Sequence, residues 1–416
     1  MTEITKKIGL SLGADLCWPK CFEDLMARLD LSIESEQGRV RFAVERIPIE
    51  PLGLRDRVEH AVVIDRLTHW YPPRREWIKK AVLMDGVYVY NNPWTVQAFE
   101  KHSTYCAMMA LGMPIPDTVL VPPKSYDPKP DLDFTLRSYA RMFDLEAQAA
   151  RVGYPLFMKP FDGGGWQGVS RVENAEDLRA AYEQSGRQMM HLQEAVAPFD
   201  RFVRAVGLGP QVRLMRYDPE QPLHARYVAG PPGLSDQERR VLEDTVLTIN
   251  AFFCWDFNSC EALRRDGVWR PIDFANPCPD SQVNSIHYHF PWYVKANIRW
   301  ATFVAATGRR MRKHPDFAPF ERIAALEIPY EQKLARYGAV AREHFEADRF
   351  AEFCERHLPH LDEVAWEYFG TDEAKQAVRT KVAHLYPSHE VEQFTELFWQ
   401  AIQRWRDQEG KGGREP

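Results

Sequence analysis

The alternation of apolar and polar residues divides the first 90 residues into strands and helices. Apolar runs and alternating positions predict strands at 6–13, 39–49, 61–70 and 87–90. The segments at about 19–29 and 75–86 are predicted to be helical, and Gly86 is placed to end the second helix. Strands that alternate with helices indicate an open α/β domain. We place this domain at residues 1–115.

The middle of the chain is richer in strands. Helices are predicted at 95–111, about 136–152, 174–185 and 235–253, and strands at 118–121, 153–160, 168–172 and 189–196. Asn174 and Ser235 are the expected N-caps. Two hairpins are predicted at 201–218 and 257–276, the second turning at Asp266-Gly267. Residues 123–136, rich in Pro, Asp and Lys, are expected to form a surface loop.

After Pro291 the pattern is helical. In the last helix, one face is expected to pack on a core, and its residues are Val391, Phe394, Leu397, Phe398, Ile402 and Trp405. A disordered tail is predicted at 411–416.

Composition narrows the classes of partner. The 416 residues are 45% hydrophobic and carry a net charge of −6, which gives no electrostatic reason to expect nucleic acid or an anionic membrane. The first 20 residues do not form a signal peptide, and no apolar run approaches the roughly 20 residues of a spanning helix. Seven cysteines are expected to be reduced and mostly buried. We therefore predict a cytoplasmic protein.

One glycine-rich stretch, MKPFDGGGWQGVSRV at 158–172, indicates a phosphate-binding loop. Amide groups in such a loop can approach phosphate oxygens because no Cβ blocks them, and Lys159 would add a positive charge. The stretch is not a P-loop, because it lacks GK[ST] and a strand follows it. A purely structural glycine turn is the alternative.

Acidic and amide side chains cluster on the hairpin at 257–276. Glu261 lies on one strand, and the partner strand contributes Asp273 and Asn276. Two carboxylates and an amide oxygen are ligands that suit Mg²⁺ when it also binds substrate phosphates. A solvated hairpin with one acidic face is the alternative.

These segments occur in an order that resembles the ATP-grasp superfamily, which includes D-alanine–D-alanine ligase, carbamoyl phosphate synthetase and biotin carboxylase. The matching segments are EKHSTYCAMMALGMPIPDT, GYPLFMKPFDGGGWQGVSRVENAEDL, LQEAV and CEALRRDGVWRPIDFANPCPD, and the resemblance covers about residues 85–285. It implies an α/β (α+β) chain with an ATP-grasp domain at 116–290 after the N-terminal α/β domain. A lid subdomain is expected at about 116–195, a metal-bearing subdomain at about 196–290, and a helical extension at 291–410.

The resemblance also implies roles for single residues. Lys101 and Lys159 would contact ATP phosphates, and Asp200 would contact the ribose. The ATP-binding residues implied are Lys101, Lys159, Gly163, Gly164, Gly165, Gly168, Gln193, Glu194, Val196 and Asp200. Gln193, Glu194 and Val196 would line the adenine pocket. Glu261, Asp273 and Asn276 would bind Mg²⁺, with Mn²⁺ as a possible substitute, although many relatives read Glu-x-Asn where this chain reads Asp-x-x-Asn.

The implied activity is an ATP-dependent ligase that activates a small-molecule carboxylate as an acyl phosphate and joins it to an amine. Arg213 and Arg226 are expected to hold the carboxylate, because arginine pairs with carboxylates in bidentate fashion. Arg213 and Arg216 would face opposite sides of a strand. His287, Tyr288 and His289 either reach the mouth of the cleft or pack. A homodimer is left open. The alternatives are a kinase or carboxylase-type phosphotransferase, and a non-catalytic nucleotide-binding regulator.

Overall fold

The computed structural model describes residues 3–35, 38–67, 71–163 and 166–409. The elements of the N-terminal segment are β1 (Glu3–Ser11), α1 (Cys17–Leu29), β2 (Ser32–Ser35), β3 (Gly38–Arg46), β4 (His60–Asp65), α2 (Pro72–Asp85), β5 (Tyr88–Tyr90) and α3 (Pro93–Ala98). Their strands form one sheet in the order β2-β3-β1-β4-β5. β1 pairs in parallel with β3 and β4, and β4 pairs in parallel with β5. The predicted open α/β domain is therefore confirmed, with the short β2 as an antiparallel strand that the sequence did not predict.

A second set of elements forms two four-stranded sheets. The elements are α4 (Lys101–Ala110), β6 (Thr118–Val121), α5 (Leu132–Tyr139), α6 (Leu145–Ala150), β7 (Leu156–Pro160), β8 (Ser170–Val172), α7 (Ala175–Ser185), β9 (Met190–Glu194), β10 (Arg201–Leu208), β11 (Gln211–Arg216), α8 (Asp236–Phe253), β12 (Phe257–Arg265) and β13 (Val268–Asp273). The sheet orders are β6-β9-β7-β8 and β11-β10-β12-β13. Both predicted hairpins are present.

Helices make up the rest of the described chain. They are α9 (Val283–Ile286), α10 (Phe290–Thr307), α11 (Ala318–Ala324), α12 (Tyr330–His344), α13 (Ala347–His357), α14 (Leu361–Tyr368), α15 (Asp372–Leu385) and α16 (Val391–Gln408). The chain is thus a mixed α/β protein with a helical C-terminal region, as predicted. Among the described residues, no helix is long and apolar enough to cross a membrane. The predicted tail at 411–416 lies outside the described residues.

Two compact units are built from interleaved segments. The first unit takes Met1–Ala98, Phe202–Cys260 and Asn276–Pro416, and the second takes Phe99–Arg201 and Glu261–Ala275. The core of the second unit contains Val121, Leu156, Met158, Leu178 and Leu192, all nearly inaccessible to solvent. The boundary falls within β12 and shortly after β13. The predicted domain limits at 115, 195 and 290 stay predictions.

Local capping explains where the helix predictions succeed and fail. Asn174 accepts hydrogen bonds from the amides of Glu176 and Asp177, and Ser235 forms a capping box with Glu238, so both predicted N-caps are confirmed. The helix predicted at 136–152 is two helices, because the Asp144 side chain accepts a hydrogen bond from the Ala147 amide and starts a new helix there.

Two further expectations about helices are corrected. The helix predicted at 95–111 is interrupted before Lys101, because Glu100 has an extended backbone. In α16, Phe398, Ile402 and Trp405 are buried as predicted, but Leu397 is 44% exposed. The buried face runs through Val391, Thr395 and Phe398, which places Leu397 beside it rather than in it.

Candidate functional site

Lys159 is a buried cation in the second unit. It lies on β7 opposite His191 of β9, and only 7% of its surface is exposed. Its Nζ donates hydrogen bonds to Tyr105 Oη and Gln193 Oε1, both at 2.7 Å, and to the carbonyl of Ile272 at 2.9 Å. An ammonium group has three donors, so all three are used. Burial, with the charge of Lys101 adding, lowers the pKa of Lys159 to about 8, although Asp273 opposes the shift.

Lys101 begins α4 in the same unit. Its Nζ lies 2.8 Å from Asp273 Oδ2, and the residue is 6% exposed. Burial alone would lower the pKa of Lys101, but the charge and hydrogen bond of Asp273, with Glu261 and Asp162 adding, outweigh burial and raise it. A lysine in the first turn faces the positive end of the helix dipole. Asp273 offsets that unfavourable position.

Glu261 and Asp273 are partners across the β12–β13 hairpin. The ladder has an irregularity between Glu261 and Ala262, and the turn at Asp266-Gly267 has positive φ at both residues, as predicted. Like charges directly opposite each other on a sheet destabilise it. The positive charges of Lys101 and Lys159 act on this acidic pair. Two carboxylates beside two lysines therefore form one charged cluster.

The chemistry of this donor set fits Mg²⁺, which is often bound by one or two carboxylates together with substrate phosphates. The described protein side chains alone do not complete such a site. Within the described ranges, no group of three or more His, Cys, Asp or Glu side chains is arranged to hold a metal ion. Glu261 and Asp273 are thus candidate ligands that would need phosphate or water to complete the coordination.

Asn276, the third predicted ligand, belongs to the first unit. Its backbone amide donates to Asn258 Oδ1 at 3.0 Å, and its Nδ2 donates to Ser259 Oγ at 2.9 Å. Ser259 Oγ also accepts hydrogen bonds from Arg204. These contacts engage the amide nitrogen of Asn276 and leave its oxygen as the atom suited to a cation. Its role as a ligand stays a prediction.

Arg204, the buried arginine that donates to Ser259 beside Asn276, is not among the residues predicted from the sequence. It is 9% exposed on β10, and its guanidinium lies over the Tyr227 ring at 5.6 Å from the centroid. The available signal was an arginine among the apolar residues of a strand, RFVRAVGL.

The glycine-rich stretch connects β7 to β8, which pair in antiparallel fashion as predicted. Gly163 has a φ of +88° and Gly168 a φ of +71°, a region that side chains with a Cβ disfavour. A Cβ on Gly168 would also lie 3.0 Å from Pro160 Cγ. The conformation of the turn therefore favours glycine at both positions. Gly164 and Gly165 lie outside the described residues.

The predicted adenine segment begins at the end of β9, which contains Gln193 and Glu194. Gln193 is buried and joins Lys159 to Thr118 through its side-chain amide. Glu194 accepts a hydrogen bond from Arg265 at 2.5 Å, and Val196 is buried. The adenine-binding roles stay predictions.

Asp200, the residue predicted to contact the ribose, is exposed and forms an ion pair with Arg264. The hydrogen bond from Arg264 lowers the pKa of Asp200. A nucleotide hydroxyl would therefore meet a carboxylate already paired with arginine, and the ribose role stays a prediction.

His102 and His191, which lie close to the two lysines, are also not among the residues predicted from the sequence. His102 Nδ1 lies 3.1 Å from His191 Nε2, and the two rings stack with centroids 5.4 Å apart. Burial lowers the pKa of His191 to about 3, with the charge of Lys159 adding. His191 is thus neutral near pH 7 and contributes no further positive charge to the cluster.

The two predicted substrate arginines lie in the first unit. Arg213 is 6% exposed, whereas Arg216 is exposed, which confirms that they face opposite sides of β11. Arg213 Nη2 contacts both carboxylate oxygens of Glu409 at 2.8 Å. Arg226 is half-buried, and its Nε donates to the Gln221 carbonyl at 3.1 Å. Neither catalytic role is tested by these contacts.

Another polar cluster lies at the carboxyl ends of β1 and β4. Asp15, after β1, accepts hydrogen bonds from Trp18 and Gln282, both at 2.9 Å. Arg66, after β4, is 6% exposed and donates to the Pro279 carbonyl. β1 and β4 are neighbours in the sheet. The chain continues from β1 towards β2 and β3 at one edge, and from β4 towards β5 at the other edge, so the strand order reverses between β1 and β4. In open α/β sheets, ligands bind outside the strand ends at such a point.

Comparison with known proteins returns structural likenesses alone. No family model and no curated protein matches the chain. It is similar to a RimK domain ATP-grasp protein from Sphaerobacter thermophilus, with 13% identity, 66% of this chain and 92% of that chain covered, and a TM-score of 0.46.

Two ligases are similar at the same level. A D-alanine–D-alanine ligase from Bacillus anthracis, solved with ATP, has 11% identity, coverage of 82% and 99%, and a TM-score of 0.46. The VanG D-Ala:D-Ser ligase from Enterococcus faecalis has 13% identity, coverage of 81% and 100%, and a TM-score of 0.46. Because each TM-score is below 0.5, we rest the functional proposal on the side chains described above.

Proposed function

We propose that this chain is an ATP-dependent ligase of the ATP-grasp type, which joins a small-molecule carboxylate to an amine. One observation carries the proposal. In the second unit, two buried lysines from different elements, Lys101 and Lys159, accompany a cross-strand carboxylate pair, Glu261 and Asp273. Burying charged groups costs free energy because they are removed from water. A triphosphate with a divalent cation would interact with both lysines and both carboxylates.

In this proposal Lys101 and Lys159 bind ATP phosphates beneath the glycine-rich turn. Lys159, with a pKa of about 8, carries its charge near pH 7. Because its three N–H donors are all used within the second unit, we expect one of these hydrogen bonds to be exchanged for a phosphate oxygen when nucleotide binds. The neighbouring Gln193, Glu194 and Val196 are proposed to contact the adenine.

Glu261 and Asp273 would hold Mg²⁺, with Asn276 as the further proposed ligand. When bound, the ion would neutralise phosphate charge, which is the main contribution of Mg²⁺ to phosphoryl transfer. Asp273 is paired with Lys101 in the described structure. We therefore expect Lys101 to exchange this carboxylate for a phosphate oxygen when nucleotide binds.

The proposed reaction has two steps. A carboxylate oxygen of the substrate attacks the γ-phosphorus of ATP, and the bond to ADP breaks. The amine nitrogen then attacks the carbonyl carbon of the acyl phosphate, inorganic phosphate leaves, and the amine proton passes to phosphate or water. Arg213 and Arg226 are proposed to hold the substrate carboxylate, and the Asp15–Arg66 cluster is proposed to recognise the charged groups of the rest of the substrate.

An ADP-release screen tests this proposal. Amino acids and small carboxylates are supplied with and without amines, and hydroxylamine is added in parallel. We expect ADP release that requires a carboxylate, and hydroxamate formation from the acyl phosphate. A stable phosphorylated product without hydroxamate would indicate a kinase instead. Nucleotide binding without ADP release from any substrate would favour the regulatory alternative.

Two lysine substitutions test whether ADP release depends on the proposed site. Lys159→Met removes the buried charge and should abolish turnover. Lys124→Met is the matched control, because Lys124 is an exposed lysine of the same unit that pairs with Glu183. Equal turnover in the two variants would contradict the assigned role of Lys159.

A further inference from the structure

The carboxylate of Glu409 is held by two residues far from it in the sequence. Arg213 Nη2 lies 2.8 Å from each of its two oxygens, and Tyr288 Oη donates to Oε1 at 2.8 Å, with Gln408 Oε1 as a competing acceptor at 3.0 Å. The side chains of Arg213 and Glu409 are only 7% and 11% exposed. A buried arginine and a tyrosine hydroxyl thus converge on one carboxylate.

The arginine is itself fixed by the surrounding residues. Arg213 Nε donates to His289 Nδ1 at 3.2 Å, and His289 Nε2 lies 3.1 Å from the Val228 carbonyl. His289 is completely buried, so its ring is held as a neutral acceptor for the arginine. His289 thus holds the Nε side of the guanidinium independently of Glu409.

Glu409 occupies a position that its own helix does not favour. It follows α16 directly as the C-cap residue, where the helix dipole is negative and a carboxylate is unfavourable. The buried anchors of α16 lie earlier, at Phe398, Ile402 and Trp405. Glu409 can therefore leave Arg213 without unpacking the helix.

We propose that Arg213 and Tyr288 form a binding site for a small carboxylate, and that Glu409 fills this site from within the chain. The buried guanidinium needs an anion, since an uncompensated buried charge is costly. A free carboxylate can replace the Glu409 side chain atom for atom. If the proposed ligase function holds, on which this last step rests, the carboxylate substrate competes with Glu409.

Glutarate tests the site without ATP, because each end of this dicarboxylate repeats the glutamate side chain. Glu409→Gln keeps the shape of the side chain and removes its charge. We expect glutarate to bind this variant at least tenfold more tightly than the wild type by calorimetry and to raise its Tm. A tenfold difference corresponds to a site that is open in about one wild-type molecule in ten.

Three controls test whether tighter glutarate binding depends on Glu409 and Arg213. Glu392→Gln changes another glutamate of α16, one that is exposed and pairs with Arg379, and should bind glutarate no better than the wild type. The double variant Glu409→Gln with Arg213→Gln should bind none. Glutaramide, the uncharged diamide, should bind no variant.

The opposite results would overturn the proposal. Equal glutarate affinity in the wild type and in Glu409→Gln would show that Glu409 does not occupy the site. If Glu409→Gln fails to fold, Glu409→Asp, which keeps the charge but shortens the side chain, replaces it in the same measurement. If neither variant folds even in glutarate, Glu409 is an indispensable structural ion pair and not an exchangeable occupant.

Turnover separates this inference from the ligase proposal. In an active ligase, Glu409→Gln should lower the KM for the carboxylate substrate about tenfold, in proportion to the open fraction, and leave kcat nearly unchanged. Glutarate binding by Glu409→Gln without ADP release from any carboxylate would sustain the carboxylate site and reject the ligase.

Discussion

Lys101 Nζ lies 2.8 Å from Asp273 Oδ2 and connects the first turn of α4 to the end of β13. This pair joins residues that are 172 positions apart. It also neutralises one of two carboxylates that face each other across a hairpin. The contact is therefore both a structural link in the second unit and, in the proposed function, the interaction that ATP would replace.

Removing Lys101 should destabilise the protein. Lys101→Met leaves Asp273 beside Glu261 with less compensating charge, and we expect a loss of about 1–3 kcal/mol of unfolding free energy, below the full cost for a completely buried pair because Asp273 is partly exposed. Urea unfolding measures the change. The exposed Lys124→Met should cost less than about 1 kcal/mol. A similar loss in both variants would show that the pair contributes nothing specific.

ATP affinity should fall as the pH rises above about 8. The pKa of Lys159 is lowered to about 8, so the free protein loses this positive charge above that pH, and phosphate binding weakens by up to about tenfold per pH unit. Calorimetric titrations between pH 7 and 9.5 measure the effect. Lys159→Arg stays charged throughout this range and should flatten the profile; an unchanged slope would exclude Lys159 as the group responsible.

Asp256 should make stability depend on pH in the opposite sense to ordinary carboxylates. Burial raises the pKa of Asp256 from 3.8 to about 6, although the hydrogen bond that the Tyr88 hydroxyl donates to Oδ1 at 2.7 Å opposes the shift. The folded state then binds more protons than the unfolded state between these values, so the contribution of Asp256 falls as pH rises through this window.

The variant Asp256→Asn isolates this contribution. Between pH 4.5 and 7.5, the stability of the wild type relative to Asp256→Asn should decrease by about 2 kcal/mol. Urea unfolding of both proteins at the two pH values measures it. A constant difference would mean that the carboxyl group titrates normally in the folded protein.

The two described glycines of the glycine-rich stretch, Gly163 and Gly168, should differ in the stability lost on replacement by alanine. Gly168→Ala places a Cβ on a backbone with positive φ and 3.0 Å from Pro160 Cγ, and should cost about 2 kcal/mol or more. Gly163→Ala meets no described atom within 4 Å and should cost about 1 kcal/mol through its φ alone. Thermal unfolding compares them. Equal costs would indicate that Pro160 yields to the added methyl group.

Local signals in the sequence predicted much of the fold. Asn174, Ser235 and the Asp266-Gly267 turn act on neighbouring backbone groups, so their roles can be read from a few adjacent residues. Asp144 is the same kind of signal and was overlooked within an apolar helical pattern. The short strand β2 was missed because four residues at a sheet edge give little periodicity.

The candidate site was predictable only in part. Lys159, Glu261 and Asp273 stand out by their neighbours in the chain, and the resemblance supplied Lys101. Tyr105 was missed because its role depends on Lys159 and Ile272, more than 50 residues away. Glu409 was missed because nothing near it in the sequence indicates Arg213.

The interleaving of the two units governs the order in which the charged cluster can be assembled during synthesis. The segment Phe99–Arg201 leaves the ribosome with both lysines, but Glu261–Ala275, which brings their carboxylates, begins about 100 residues after Lys159. At 5–20 residues per second, the nascent chain spends on the order of 5–20 s with these cations uncompensated. The charged cluster therefore cannot form until Glu261–Ala275 has been synthesised, after Phe99–Arg201 and the intervening segment of the first unit.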